Sequence, residues 1–378
     1  MKSVIAGWKR SPFTRAHKGD LFNVRPDNLG GQVIEELIRQ TKIDTSTIDD
    51  IIVGCAYPEG EQGYNIGRMM TFLGGLDYNI PGQTINRLCG SSMQSILSAH
   101  ANIASGFGEL YLCGGIESMS RVKRRGFNWS PNPILGGRHP EAYVNMGITA
   151  ENVADSFGIT REEQEEFALL SHQKASNASL NGFFTEEIVN ISHDDVNYSK
   201  DGCIRGDTTL DSMSSLKSAF REGGSVTAAT SSPLTDGAVF SIICSENLAK
   251  SLNLSPIAAI VAGAVSGCPP ELMGLGPISA VKKVLDIAGW KIDEVDIFEL
   301  NEAFASQSIA CIRELGIDID RVNLDGGALA IGHPLGASGA RITCKAASLM
   351  NRTGANRAIA TMCIGGGMGM AIALETLD

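Results

Sequence analysis

The chain has 378 residues, of which 43% are hydrophobic and 19% charged, with 43 glycines and a formal net charge of -11. That length and composition suit a densely packed globular body with real hydrophobic cores, and they exclude a disordered chain. The acidic balance argues against a nucleic-acid partner, which relies on a positive surface, and nine cysteines without C-x-x-C pairs or Cys/His ligand spacing support neither a disulfide framework nor a structural metal.

At the N-terminus, MKSVIAGWKRSPFTR is basic, but its apolar run is too short for a secretory signal. No segment reaches the roughly 18 apolar residues of a membrane span. The expectation is a cytoplasmic protein with no membrane partner. GGQVIEELIRQTKI then places Val33, Ile34, Leu37 and Ile38 at helical spacing, and IDDIIVGCA switches to a short buried strand. Far downstream ISAVKKVLDIAGW and KIDEVDIFELNEA repeat that helix, turn and strand. ELYLCGGIESMS and AIATMCIGGGMGMAIALE each run an apolar strand through a cysteine into glycines, as equivalent late strands would. Residues from about 120 to 205 are more polar and hold one clear helix, TREEQEEFALLSHQKASNA. This predicts a duplicated, largely parallel α/β arrangement that buries helices between two sheets and carries an inserted lobe. The halves are read as 1–255, with the lobe at 120–205, and 256–378.

NRLCGSSMQS puts Cys89 just ahead of a helix, INRLCGSSMQSILSAHANIASG, where unpaired backbone N–H groups favour an anion and lower a thiol pKa. Taken alone, Cys89 reads equally as buried filler. A nucleophile needs an imidazole. Of six histidines, His333 has the marked setting: LDGGALAIGHPLGASGARI surrounds it with five glycines and a proline before another helix. Cys89 and His333 follow their repeat units at comparable distances, so a pseudo-twofold axis would bring the two helix starts together. Cys363, in TMCIGGGMG, ends a strand and meets Gly365, Gly366 and Gly367, whose N–H groups suit an oxyanion. NEAFA, Asn301 to Ala305, reads by itself as a strand-to-helix cap. GGGMG is followed by too few residues for a dinucleotide fold with its ribose-binding acid.

Together NRLCGSSMQ, GGIESMS, MGITAENVA, SSPLTDGA, MGLGP, NEAFA, GGALAIGHPLGASGAR and CIGGGMG resemble, in order and spacing, the thiolase family along nearly the whole chain. The resemblance implies a five-layered α-β-α-β-α fold of two duplicated halves with a loop lobe in the first. It implies an acyltransferase that exchanges acyl groups with coenzyme A, by thiolytic cleavage of 3-ketoacyl-CoA or Claisen condensation of two acetyl-CoA molecules. By the same resemblance Cys89 is the nucleophile, His333 takes its proton, and Cys363 moves the proton of the reacting carbon. Asn301, through a water, with His333 resembles one oxyanion hole, and the N–H groups of Cys89 and Gly365 the other. Ser232, Arg205, Phe220, Met146, Phe304 and Ala228 fall where the family contacts CoA. No tightly bound cofactor or metal is implied; the partners are CoA, acyl-CoA and further copies of the chain, as a homodimer or homotetramer.

Two departures stand out. VTAATSSPLTDGA lacks a Gly-Asn pair common in the family, and Asn145 stands where many members carry His. The basic run RVKRRGFNW, with Arg121, Lys123, Arg124 and Arg125, could meet CoA phosphates or a partner subunit. Two rival chemistries differ in their residues: a 3-ketoacyl synthase pairs its cysteine with two histidines, and a cysteine hydrolase needs no second thiol.

Overall fold

The structure, a computed structural model, describes residues 1–377. In the first half, strand β1 (Ser3–Arg10) leads to helix α1 (Pro26–Thr41), β2 (Asp50–Gly54), α2 (Ile66–Leu73), β3 (Gly82–Ile85), α3 (Ser91–Ser105) and β4 (Leu110–Ser118). A long excursion at 119–234 includes α4 (Met146–Phe157) and α5 (Arg161–Leu180) before β5 (Thr235–Ser245) closes the half. It is longer than the lobe read from the sequence at 120–205. The second half runs β6 (Ala258–Gly267), α6 (Gly276–Ala288), β7 (Ile297–Leu300), α7 (Ala305–Leu315), α8 (Leu335–Thr353), β8 (Arg357–Ile364) and β9 (Met368–Glu375).

These strands lie in the order β7-β8-β9-β6-β1-β5-β4-β2-β3 within a ten-stranded sheet whose remaining piece, Thr14–Arg15, sits beside β5. Apart from β3 at the edge, the order is its own image about the β6–β1 junction. β1 answers to β6, β5 to β9, β4 to β8 and β2 to β7, with antiparallel and parallel pairings repeated in the same places. The halves are stitched where Ser3–Ile5 pairs antiparallel with Ala258–Ile260, so the two expected sheets are one continuous sheet.

The sheet is mixed rather than largely parallel. β9 follows β8 through the glycine turn, and a turn that short returns the chain antiparallel; β5 repeats that geometry after the excursion. α1 and α2 cover the outer face of the first half, α6 that of the second, and α3 and α8 pack on each other between the halves. α8 is buried almost from end to end. A helix in that position touches both half-sheets, which gives the five layers.

The excursion is fixed by charge as well as by apolar packing. Arg10 on β1, fully buried, donates to Glu187 at 2.8 Å and to Asp201 at 2.7 Å. Lys345 on α8 reaches Glu187 at 2.9 Å and Asp325 at 2.7 Å. Buried ions survive only when paired in this way.

Candidate active site

α3 and α8 bring their N-terminal ends to one cavity of about 440 Å³. Cys89 and His333 each stand two residues ahead of the first helical residue, Ser91 and Leu335. The equivalence read from the repeat therefore has a geometric basis. Both residues line the cavity, and so do Cys363 and Gly365 from the end of β8.

The loop carrying Cys89 is held rigidly. Leu88 sits at φ 47°, a left-handed conformation that costs energy in a branched residue. It is sustained by Leu88 N–H donating to Asn86 Oδ1 at 2.8 Å, and by Ser91 Oγ donating to Leu88 O at 2.6 Å. Gly90 packs closely on β8: a Cβ there would lie 2.5 Å from Ile364 Cδ1 and would push that methyl aside. Behind the loop, buried Glu117 accepts from Ala56 N at 2.8 Å, Gly336 N at 2.9 Å and Gln62 Nε2 at 2.7 Å. One carboxylate thus ties the start of α8 and the segment after β2 to β4.

His333 is 5% exposed, and its Nδ1 lies 2.5 Å from Ser338 Oγ, which donates its single hydrogen to Pro334 O at 2.9 Å. The hydroxyl must then accept from the ring, so Nδ1 carries the proton and Nε2 keeps a lone pair. Asn301 Nδ2 is 3.4 Å from that Nε2. Asn301 comes from the turn between β7 and α7, so two donors can stand side by side once Nε2 is protonated.

Electrostatics correct one expectation. Burial pushes the Cys89 thiol up to about 11, although the N–H groups of Gly365 and of Cys89 itself pull the other way. Burial also holds His333 down at about 4. Desolvation outweighs the helix N-terminus, and the resting pair is a neutral thiol and a neutral imidazole. Cys363 is raised further, first by burial and then by the neighbouring Cys89; its sulfur faces Gln307 Oε1 at 3.7 Å.

Met146, Phe220, Ser232 and Phe304 line the cavity. Phe220 meets Phe304 edge-on at 5.9 Å, and with Met146, Met273 and Cys363 they form one apolar cluster. Arg205 and Ala228 do not line it. Arg205 is exposed, its backbone N–H donating to His172 at 3.2 Å, and Ala228 is the exposed apex of a turn closed by Ala229 N–H on Thr227 Oγ1. Asn145 caps α4, its Oδ1 accepting from Gly147 N at 2.9 Å, and is outside the lining too.

Sequence reasoning missed Tyr57, Trp129, Tyr143, Leu234 and Met273 in the lining, and it missed Ser338 and Gln307 behind it. None carries a periodic signal. Ser338 alone could have been found, because it follows His333 within the first turns of α8.

Compared with known proteins, residues 3–247 match the family model of the thiolase N-terminal domain, and 254–376 that of the thiolase C-terminal domain. A 3-ketoacyl-CoA thiolase of Bacillus subtilis (strain 168) is 42% identical over 387 residues, covering 99% of each chain. One of Saccharophagus degradans is 43% identical, covering 98% of this chain and 97% of its own. The crystal structure of the Bacillus anthracis acetyl-CoA acetyltransferase superposes with a TM-score of 0.91 at 36% identity, over 100% of this chain and 99% of that one.

Proposed function

The chain belongs to the thiolase family and is an acyltransferase, and from that membership we propose that it exchanges acyl groups with coenzyme A through a thioester on Cys89. The supporting observation is a single cavity whose wall holds two thiols, an imidazole with an unprotonated nitrogen and the Gly365 backbone. In cleavage, His333 Nε2 takes the Cys89 proton as the sulfur attacks C3 of a 3-oxoacyl-CoA. The C2–C3 bond breaks, its electron pair passes to C2, and Cys363 gives that carbon its proton, releasing acetyl-CoA. The acyl group then moves from Cys89 to the thiol of CoA. The CoA proton goes to the Cys363 thiolate, and the Cys89 sulfur recovers its proton from His333. Condensation is the same sequence reversed.

Because both partners rest neutral, the Cys89 proton moves as the carbon–sulfur bond forms rather than beforehand. Negative charge then develops on oxygen. Asn301 with protonated His333, and the N–H groups of Cys89 and Gly365, are the donor pairs proposed to meet it; losing one such donor costs about 3 kcal/mol. Met146, Phe220, Met273 and Phe304 offer an apolar track for the pantetheine arm, and the Ser232 hydroxyl lines it. A two-histidine synthase is less well supported, since His333 is the one histidine in the described lining. A cytoplasmic homodimer or homotetramer is part of the proposal, open to light scattering; no described helix is long and apolar enough to cross a membrane.

The test is mass spectrometry after incubation with acetyl-CoA. Cys89→Ala gives no acyl-enzyme, whereas Cys363→Ala is acylated yet fails at carbon–carbon exchange. Undiminished acylation of Cys89→Ala refutes the assignment.

A further inference from the structure

One stretch of the cavity wall does not suit a purely hydrocarbon acyl chain. Beside the apolar cluster, the lining includes Tyr57, Arg124, Arg125, Trp129 and Tyr143. Arg125 is committed: its guanidinium lies 4.8 Å from the Trp129 ring centre and donates to Tyr143 O at 3.0 Å. Trp129 in turn meets Tyr143 edge-on at 5.6 Å. Arg124 is different. It is half-buried, lines the cavity, and has no hydrogen bond or ion pair among the described residues, although guanidinium groups in such places ordinarily find a carboxylate.

Its position within the cavity decides what it can bind. Arg124 shares the cavity wall with Cys89 and Tyr57, and its charge favours the ionised form of each. The nearby acid, Glu117, is already occupied by Ala56 N, Gly336 N and Gln62 and makes no pair with Arg124. The phosphates of CoA are held away from its sulfur by the whole pantetheine arm. A cation on the wall of the cavity that holds the nucleophile therefore meets the acyl group rather than those phosphates.

We infer that Arg124 selects acyl groups ending in a carboxylate, so that the substrate class is a short 3-oxo-ω-carboxyacyl-CoA. This rests on the thiolase reading above. With a six-carbon chain, Cys89 takes the four-carbon ω-carboxyacyl group as the C2–C3 bond breaks. Acetyl-CoA leaves protonated at C2, and CoA then removes the four-carbon unit as its thioester. The terminal carboxylate lies on the Arg124 guanidinium throughout. A methyl-ended chain of equal length leaves the cation desolvated and unpaired, which is the source of discrimination.

The experiment compares thiolysis of 3-oxohexanedioyl-CoA and 3-oxohexanoyl-CoA, equal in carbon count and differing in the terminal group. Wild type should favour the dicarboxylic substrate roughly tenfold or more in kcat/KM, the scale of a charge-assisted hydrogen bond. Arg124→Met should abolish that preference, the fall in kcat/KM for 3-oxohexanedioyl-CoA exceeding any fall for 3-oxohexanoyl-CoA by the wild-type ratio, and Arg124→Lys should retain part of it. Equal or faster wild-type cleavage of 3-oxohexanoyl-CoA overturns the inference and leaves the thiolase reading intact. An Arg124→Met loss shared by both substrates and by the KM for CoA also overturns it, placing the cation on CoA. Cleavage of neither substrate, with none of 3-oxobutanoyl-CoA, overturns the thiolase reading and this inference together.

Discussion

Replacing Ser338 by alanine tests how His333 is made a base. The hydroxyl is 2% exposed, lies 2.5 Å from His333 Nδ1 and passes its own hydrogen to Pro334 O. Without it, the Nδ1–H is left buried with no partner, or the ring changes to the tautomer whose Nε2 already carries a proton and cannot take one from Cys89. A buried donor stranded in this way costs about 1–3 kcal/mol, and about 1.4 kcal/mol corresponds to tenfold in rate. Ser338→Ala should therefore slow acylation of Cys89 by roughly five- to 150-fold. The step is read by rapid quench of the acyl-enzyme formed from acetyl-CoA, with the His333 tautomer followed by nitrogen NMR. An acylation rate within about twofold of wild type, with Nδ1 still protonated, would refute the reasoning, because the serine would then add nothing to the base.

The neutral resting pair predicts that alkylation of Cys89 by iodoacetamide quickens about tenfold per pH unit from 6 to 9, as expected for a thiol held near 11; a flat profile would indicate a preformed ion pair. His172, like His333, is held by burial at about 4. Its folded value is below the unfolded one of about 6.5, so its contribution is present above pH 6.5 and lost as the pH falls toward 4. At pH 5 the loss is about 2 kcal/mol. Urea unfolding of His172→Asn should show a pH 7-to-5 decline smaller by that amount, and an identical decline contradicts the assignment. Glu187→Ala takes one of two carboxylate partners from each of buried Arg10 and Lys345 and should cost about 3–5 kcal/mol; a denaturation midpoint near wild type would show that Asp201 and Asp325 suffice.

The elements that alternate apolar and punctuating residues were legible without coordinates. The repeat of helix, turn and strand at GGQVIEELIRQTKI and ISAVKKVLDIAGW foretold the doubled sheet order. The two glycine-flanked helix starts foretold that Cys89 and His333 would line one cavity, because local pattern encodes local backbone. Pairing direction was not legible. It depends on how each half returns along itself, through a three-glycine turn in one and a 119–234 excursion in the other, and neither writes its outcome into strand periodicity.

The sequence by itself determined the residue types available for chemistry, the order of the elements and their capping. Only the tertiary structure decided the charge state of the site, since burial, which no short window of residues reports, overrides the helix N-terminus at Cys89. It likewise decided that Ser338 sets the His333 tautomer and that Arg124 lines the cavity with no ion-pair partner among the described residues. Such facts depend on distances between segments far apart in the chain, and pairwise electrostatics and desolvation act through those distances rather than along the backbone.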